Sequence, residues 1–360
     1  MTPTASPRDP AELAVLVPYQ LGYHPGPSLV LTALHGRRVG MVQRLDLLPD
    51  AAACEQVAAH CVAVLAHSGA QGLAVTAFEE DEGGSRPLRT AVTSAALVAG
   101  LHVTPHLVVR EGRTWPGGRE LPQPHEVPAV APFVLAGVSP WPSRQALVDG
   151  VVPPTDEVRA DRVAAAAEGL DLAHVDEDEL VDVWARVLDP RRTAEPVAVL
   201  TDAELALLAI SLLDIPWRDG LLAMLAPGFF DLDALPPHIA TLVIDAAGDC
   251  PWVDLWEEGD EWPRPQEWPE EVLLVRERLV EVGRLLPPPL TAAVHVAVAQ
   301  LAWWAGDGTI AGICLERALE VDPDHRLADL MSRLLVTGAH PWSDAVAGPH
   351  DGRVSIPRAS

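Results

Sequence analysis

The spacing of apolar positions divides the chain in two. Up to about residue 115, apolar runs of strand length alternate with helical repeats, and beyond residue 143 the repeat is helical almost throughout. Asp9-Pro10 opens a helical pattern with Leu13, Leu16 and Val17 on one face. Pro18 is expected to end that helix, because proline lacks the N–H the next turn needs. Leu29 to Leu34 is an apolar, β-prone run, His35-Gly36-Arg37-Arg38 is a turn, and Val39 to Leu45 alternates apolar with polar. Together they predict a β-hairpin. Residues 51–67 carry Ala, Val and Leu at helical spacing, 73–78 read as a strand, 87–98 as a helix and 101–109 as a further strand. Strand, helix, strand in that order implies a parallel crossover, and Glu111 to Trp115 predicts a second hairpin turn. The expected fold is a mixed α/β or α+β sheet with helices in the order ββαβαβ.

Prolines and glycines recur too densely from Pro116 to Pro142 for a helix or a central strand to persist. Helical stretches are then predicted at 144–148, 156–168, 177–188, 218–225, 269–285, 290–305, 309–321 and 325–336, with Thr201 and Glu204 forming a capping box. The expected domains are an α/β domain over 1–150 that includes the crossing segment 116–142, an all-α domain over 151–340, and a disordered tail over 341–360.

Composition narrows the chemistry. All 25 basic residues are arginine, so Schiff-base catalysis, pyridoxal-phosphate attachment and a phosphate-loop lysine are excluded. The net charge of −26 is concentrated after residue 150, where 38 acidic groups face 15 basic ones. Such a surface repels phosphate backbones and anionic headgroups, so neither nucleic acid nor a membrane is the expected partner. The N-terminus has no basic and apolar leader pattern and no apolar run approaches the ~18 residues of a membrane span, which predicts a cytoplasmic protein. Cys54, Cys61, Cys250 and Cys314 have no metal-ligand spacing and read as reduced, buried thiols, and no metal or cofactor is expected.

Two places carry unusual residues. The first is one end of the predicted hairpin, where Ser28 opens one strand and Arg44 and Asp46 close the other, with Tyr23 and His24 just upstream. These five form either a structural ion-pair corner or a small polar ligand site. The second is the segment 251–271, in which Trp252, Trp256, Trp262 and Trp268 stand among eight carboxylates and one arginine. Tryptophans there either pin a long loop to the helices or present a surface to a protein partner. Near the C-terminus, Gly306 to Gly308 marks a turn between two helices. Ala311, Leu315, Ala318 and Pro323 have the small, large, small, proline spacing of a tetratricopeptide hairpin.

The run Val17-Pro18-Tyr19-Gln20-Leu21-Gly22-Tyr23-His24-Pro25, followed by Ser28-Leu29-Val30 and Arg44-Leu45-Asp46-Leu47, resembles the N-terminal signature of the actinobacterial domain of unknown function 4192 family. Trp217-Arg218-Asp219, Ala302-Trp303-Trp304 with Gly306-Asp307-Gly308, and Ala318-Leu319 with Asp322-Pro323 extend the likeness over most of the chain. The resemblance implies no activity, substrate or ligand. What remains is a non-catalytic protein-binding or scaffold role, or an enzyme or small-ligand sensor with its site near Ser28, Arg44 and Asp46.

Overall fold

A computed structural model describes residues 7–36, 38–116, 118–122, 124, 126–135, 137–191, 196–227, 230, 232–253 and 269–339. The chain forms two compact units, with the break between Leu147 and Val148. The first unit opens with α1 (Pro10–Leu21), capped by the Asp9 carboxylate on the N–H groups of Ala11 and Glu12. The helix runs through Pro18 instead of stopping before it. The missing hydrogen bond costs less than is gained by burying Leu16, Val17 and Leu21 on either side of the proline. Gly22, at φ 79°, ends it in the left-handed conformation that glycine adopts without strain.

A five-stranded mixed sheet follows, with strand order β2-β1-β3-β4-β5. It comprises β1 (Ser28–His35), β2 (Arg38–Asp46), β3 (Gly72–Phe78), β4 (His102–Arg110) and β5 (Arg113–Pro116). Helix α2 (Ala51–His67) joins β2 to β3, and α3 (Arg86–Val98) joins β3 to β4. The β1–β2 hairpin and the parallel β3–β4 pair match the pattern in the sequence. The fifth strand extends the expected ββαβαβ order. Glu111 at φ 50° and Gly112 at φ 71° make a two-residue turn that folds β5 onto β4.

Because β1 lies inside the sheet and is covered on both faces, its first six residues are all buried, which is why it reads as an unbroken apolar run. Leu29, Leu31 and Ala33 pack with β3 residues Leu73 and Val75 against Ala58, Val62 and Leu65 of α2 and Leu88 and Val92 of α3. On the other face, Leu13 and Leu16 of α1 meet Ala74, Leu107 and Phe133. Phe133 belongs to the short α4 (Ala131–Leu135), and its ring lies 5.8 Å from that of Tyr19, anchoring the Pro/Gly-rich crossing segment to the sheet.

The second unit is helical. After α5 (Arg144–Val151), which crosses the break, come α6 (Glu157–Ala167), α7 (Glu177–Leu188), α8 (Asp202–Ser211), α9 (Ile215–Leu225), α10 (Pro237–Ala247), α11 (Pro269–Leu285), α12 (Ala292–Trp304), α13 (Gly308–Val321) and α14 (Arg326–Val336). Helix α10 has no counterpart among the predicted stretches. Pro236-Pro237 reads as a breaker, yet Pro237 occupies the first helical position, where its missing N–H costs nothing. All thirteen residues of α12 are buried, which makes it the axis of the unit. Arg159 and Arg162 of α6 share the Asp202 carboxylate at the start of α8, at 2.6 and 2.9 Å. Arg278 of α11 donates to the Arg186 and Val187 carbonyls near the end of α7, satisfying acceptors that the helix leaves open. No helix among the described residues is long and apolar enough to cross a membrane. Residues 341–360, expected to be disordered, lie outside the described residues.

Candidate functional site

One end of the sheet gathers most of the polar chemistry of the first unit. Ser28 is the register partner of both Asp46 and Phe78, and Phe78 pairs with Val109. The start of β1 and the ends of β2, β3 and β4 therefore share that end, which is also the carboxyl end of the parallel pair, where α/β sheets commonly place ligands.

Tyr23 is held there by backbone pairing: Trp141 N–H donates to the Gly22 carbonyl and His24 N–H to the Trp141 carbonyl, each at 2.8 Å. Its side chain is buried and His24 is exposed. Burial pushes the Tyr23 hydroxyl above its ordinary pKa, Arg44 and Arg144 draw it back down, and Asp46 adds to the rise. Arg44 and Asp46 thus lie within electrostatic reach of Tyr23. Arg44 and Asp46, two apart on β2 and so on one face, form an ion pair at 2.7 Å. Asp46 is 74 % exposed, so the pair contributes about 1 kcal/mol or less. Arg44 Nε is buried with no hydrogen-bond partner. Ser28 has no exposed surface, and its hydroxyl donates to the Gly26 carbonyl at 2.9 Å. It closes the turn into β1 and offers no nucleophile to solvent.

The same end of the sheet holds a second cluster that the sequence pattern does not pick out. Glu79 follows directly on β3, and its side chain is 2 % exposed. Its carboxylate accepts from the Ser85 hydroxyl (2.5 Å), the Ser85 N–H (3.0 Å) and the Gly83 N–H (3.1 Å), which ties the acidic loop to the start of α3. Arg89 donates to the Ser85 hydroxyl at 2.7 Å. Arg110 lies 3.8 Å from Glu79 and 3.5 Å from Glu82, with its guanidinium 5.1 Å from the centroid of the Trp115 ring. Burial alone would raise the Glu79 pKa, but the hydrogen bonds from Ser85 and Gly83, together with Arg89, hold it below the ordinary carboxylate range. A carboxylate so fully supplied with donors is a loop clasp and not a free base. The available signal is position: Glu79 heads an acidic run immediately after an apolar strand, so the strand carries it inward.

The tryptophan segment divides. Trp252 is fully buried, its ring lies 5.6 Å from that of Trp304, and its indole N–H donates to the Met224 carbonyl at 3.1 Å. It serves the helical core instead of a surface. Trp256, Trp262 and Trp268 lie outside the described residues. Burial raises the thiol of Cys314 to about 12, and that of Cys250 still further, so both are unreactive. No group of three His, Cys, Asp or Glu side chains among the described residues could hold a metal ion.

Fold and site together define a two-unit protein, a mixed α/β unit followed by an all-helical one. The chain belongs to the family described as Domain of unknown function (DUF4192), whose profile matches residues 10–253 and 271–342. The match breaks across most of the tryptophan-rich acidic segment. Comparisons with curated proteins and with solved structures found no match.

Proposed function

We propose that the protein is a non-catalytic, cytoplasmic binding or scaffold protein whose acidic helical unit holds a basic protein partner. The observation that carries this reading is the division of α7. Val183, Trp184, Val187 and Leu188 are buried, while Glu177, Asp178, Glu179 and Asp182 are exposed on the outer side. Packing fixes the helix, leaving its carboxylates as a rigid anionic surface in the half of the chain that holds nearly all the net charge. Such surfaces steer and select cationic partners. The closed state of Ser28 and Glu79 favours the same reading, since neither is presented for catalysis. In this proposal α12 and α13 form a tetratricopeptide-like hairpin. The burial of Ala311, Leu315 and Ala318 supports that assignment.

A second reading, an enzyme or small-ligand sensor at the sheet end near Ser28, Arg44 and Asp46, is favoured by one observation, the buried and unpartnered Nε of Arg44 beside Tyr23.

The test is capture of a partner from native lysate by the wild type and by a Glu177→Gln, Glu179→Gln, Asp182→Asn variant. The variant is expected to capture about tenfold less while melting within a few degrees of the wild type, and wild-type capture should weaken as salt rises. Capture that survives neutralisation undiminished contradicts the proposal.

A further inference from the structure

The helical unit contains a recess unrelated to the sheet end. It lies between α11, α12, α13 and the chain entering α6, and its space, counted out to the open mouth, is about 300 Å³. The enclosed part has room for a group of one or two water-sized atoms. Val152 and Val280 form apolar walls, and Thr155, Arg284, Thr291, His295 and Arg317 supply the polar lining.

His295 is the unusual member. It is 7 % exposed, sits in a helix otherwise built of Ala, Val, Leu and Trp with one Gln, lines the recess, and makes no side-chain hydrogen bond among the described residues. The neighbouring cations differ in availability. Arg284 is held by both oxygens of Glu281 at 2.9 Å, with Asp156 also acting on it. Arg317 makes one 3.0 Å contact with Glu320 and is 42 % exposed, so it retains donors for another group. Thr291 donates its hydroxyl proton to the Pro288 carbonyl at 2.9 Å. The donors left for a ligand are the imidazole N–H of His295, the Thr155 hydroxyl, and the guanidinium N–H groups of Arg317 and Arg284 that Glu320 and Glu281 do not take.

We infer that this recess binds a small organic carboxylate, its two oxygens taken by His295 and Arg317 and its short apolar chain lying against Val152 and Val280. A carboxylate matches the guanidinium fork and the small enclosed space. A phosphate dianion, with four oxygens about its centre, is bulkier than the enclosed space admits and leaves Val152 and Val280 without an apolar partner. Burial and the nearby Arg317 keep the imidazole neutral, with a pKa of about 4, so at neutral pH it offers one N–H.

The test uses the full chain with isobutyrate, its uncharged analogue isobutyramide, and inorganic phosphate. Isobutyrate should shift the Cε1–H resonance of His295 along a saturating curve and raise the melting temperature, while isobutyramide and phosphate do neither. Arg317→Gln, at an exposed position that leaves the core intact, should weaken isobutyrate about tenfold or more. The proposal is overturned if isobutyrate produces no saturable change in either wild-type measurement, if isobutyramide or phosphate binds as well, or if Arg317→Gln binds undiminished.

Discussion

Trp252→Ala should destabilise the helical unit by about 3–5 kcal/mol, the range for deleting a large aromatic side chain from a packed core. The indole has no exposed surface, leans on Trp304 and donates to the Met224 carbonyl. Alanine therefore leaves a cavity and a carbonyl without its donor. Trp252→Phe refills most of the cavity but not the hydrogen bond, and should cost about 1–3 kcal/mol. Urea unfolding followed by far-UV circular dichroism measures both. A Trp252→Ala variant as stable as the wild type would return this residue to the surface and reopen the whole segment as an interface.

The second large effect is a dependence on pH. Burial, and then Arg317, lower the pKa of His295 to about 4 in the folded unit, against about 6.5 when unfolded. Between these values the unfolded chain binds a proton that the folded chain refuses. Stability is therefore complete above about pH 6.5 and falls as pH approaches 4, by about 3 kcal/mol in all. His325, lowered by burial and Arg218, acts in the same direction. Glu204, held low by its capping-box and Arg186 hydrogen bonds against the effect of burial, adds a loss only as pH falls further, through the carboxylate range. Urea midpoints taken from pH 7.5 down to 4.5 should fall steadily, and His295→Phe should flatten much of the slope. A flat wild-type profile would mean that the histidine is not buried as described.

The sheet end was legible in the sequence because strand alternation and a His-Gly-Arg-Arg turn constrain register. Once the hairpin folds at His35 to Arg38, Ser28 must lie near the end of β2, and a one-residue register shift between Thr32 and Leu34, which the sequence does not announce, sets it opposite Asp46 instead of Leu45. The capping box of Thr201 and Glu204 was legible for the same reason, local chemistry with a fixed spacing. What escaped depends on burial, which local pattern does not encode. Glu79 looks like the first residue of a solvated acidic loop until β3 and the donors of Ser85 and Gly83 enclose it. Trp252 stands among prolines and acids that suggest a loop, while its ring belongs to the core. Helix α10 carries only a narrow polar stripe of His238, Thr241 and Asp245 and begins at two prolines with no capping side chain, so its start reads as a break. His295 is one histidine in an apolar helix, and only the packing of α11 and α13 around it forms the recess.

The central proposal, that the acidic helical unit is the partner surface, can be tested directly because the chain contains no lysine. Carbodiimide joins carboxylates to amines, so in a native complex every carboxylate-to-lysine product that includes a peptide of this chain must join one of its carboxylates to another molecule. Mass spectrometry of the coupled complex should place the links on Glu177, Asp178, Glu179 and Asp182 of α7 and their neighbours in the helical unit. Links confined to the α/β unit, or none in a complex that survives purification, would contradict it.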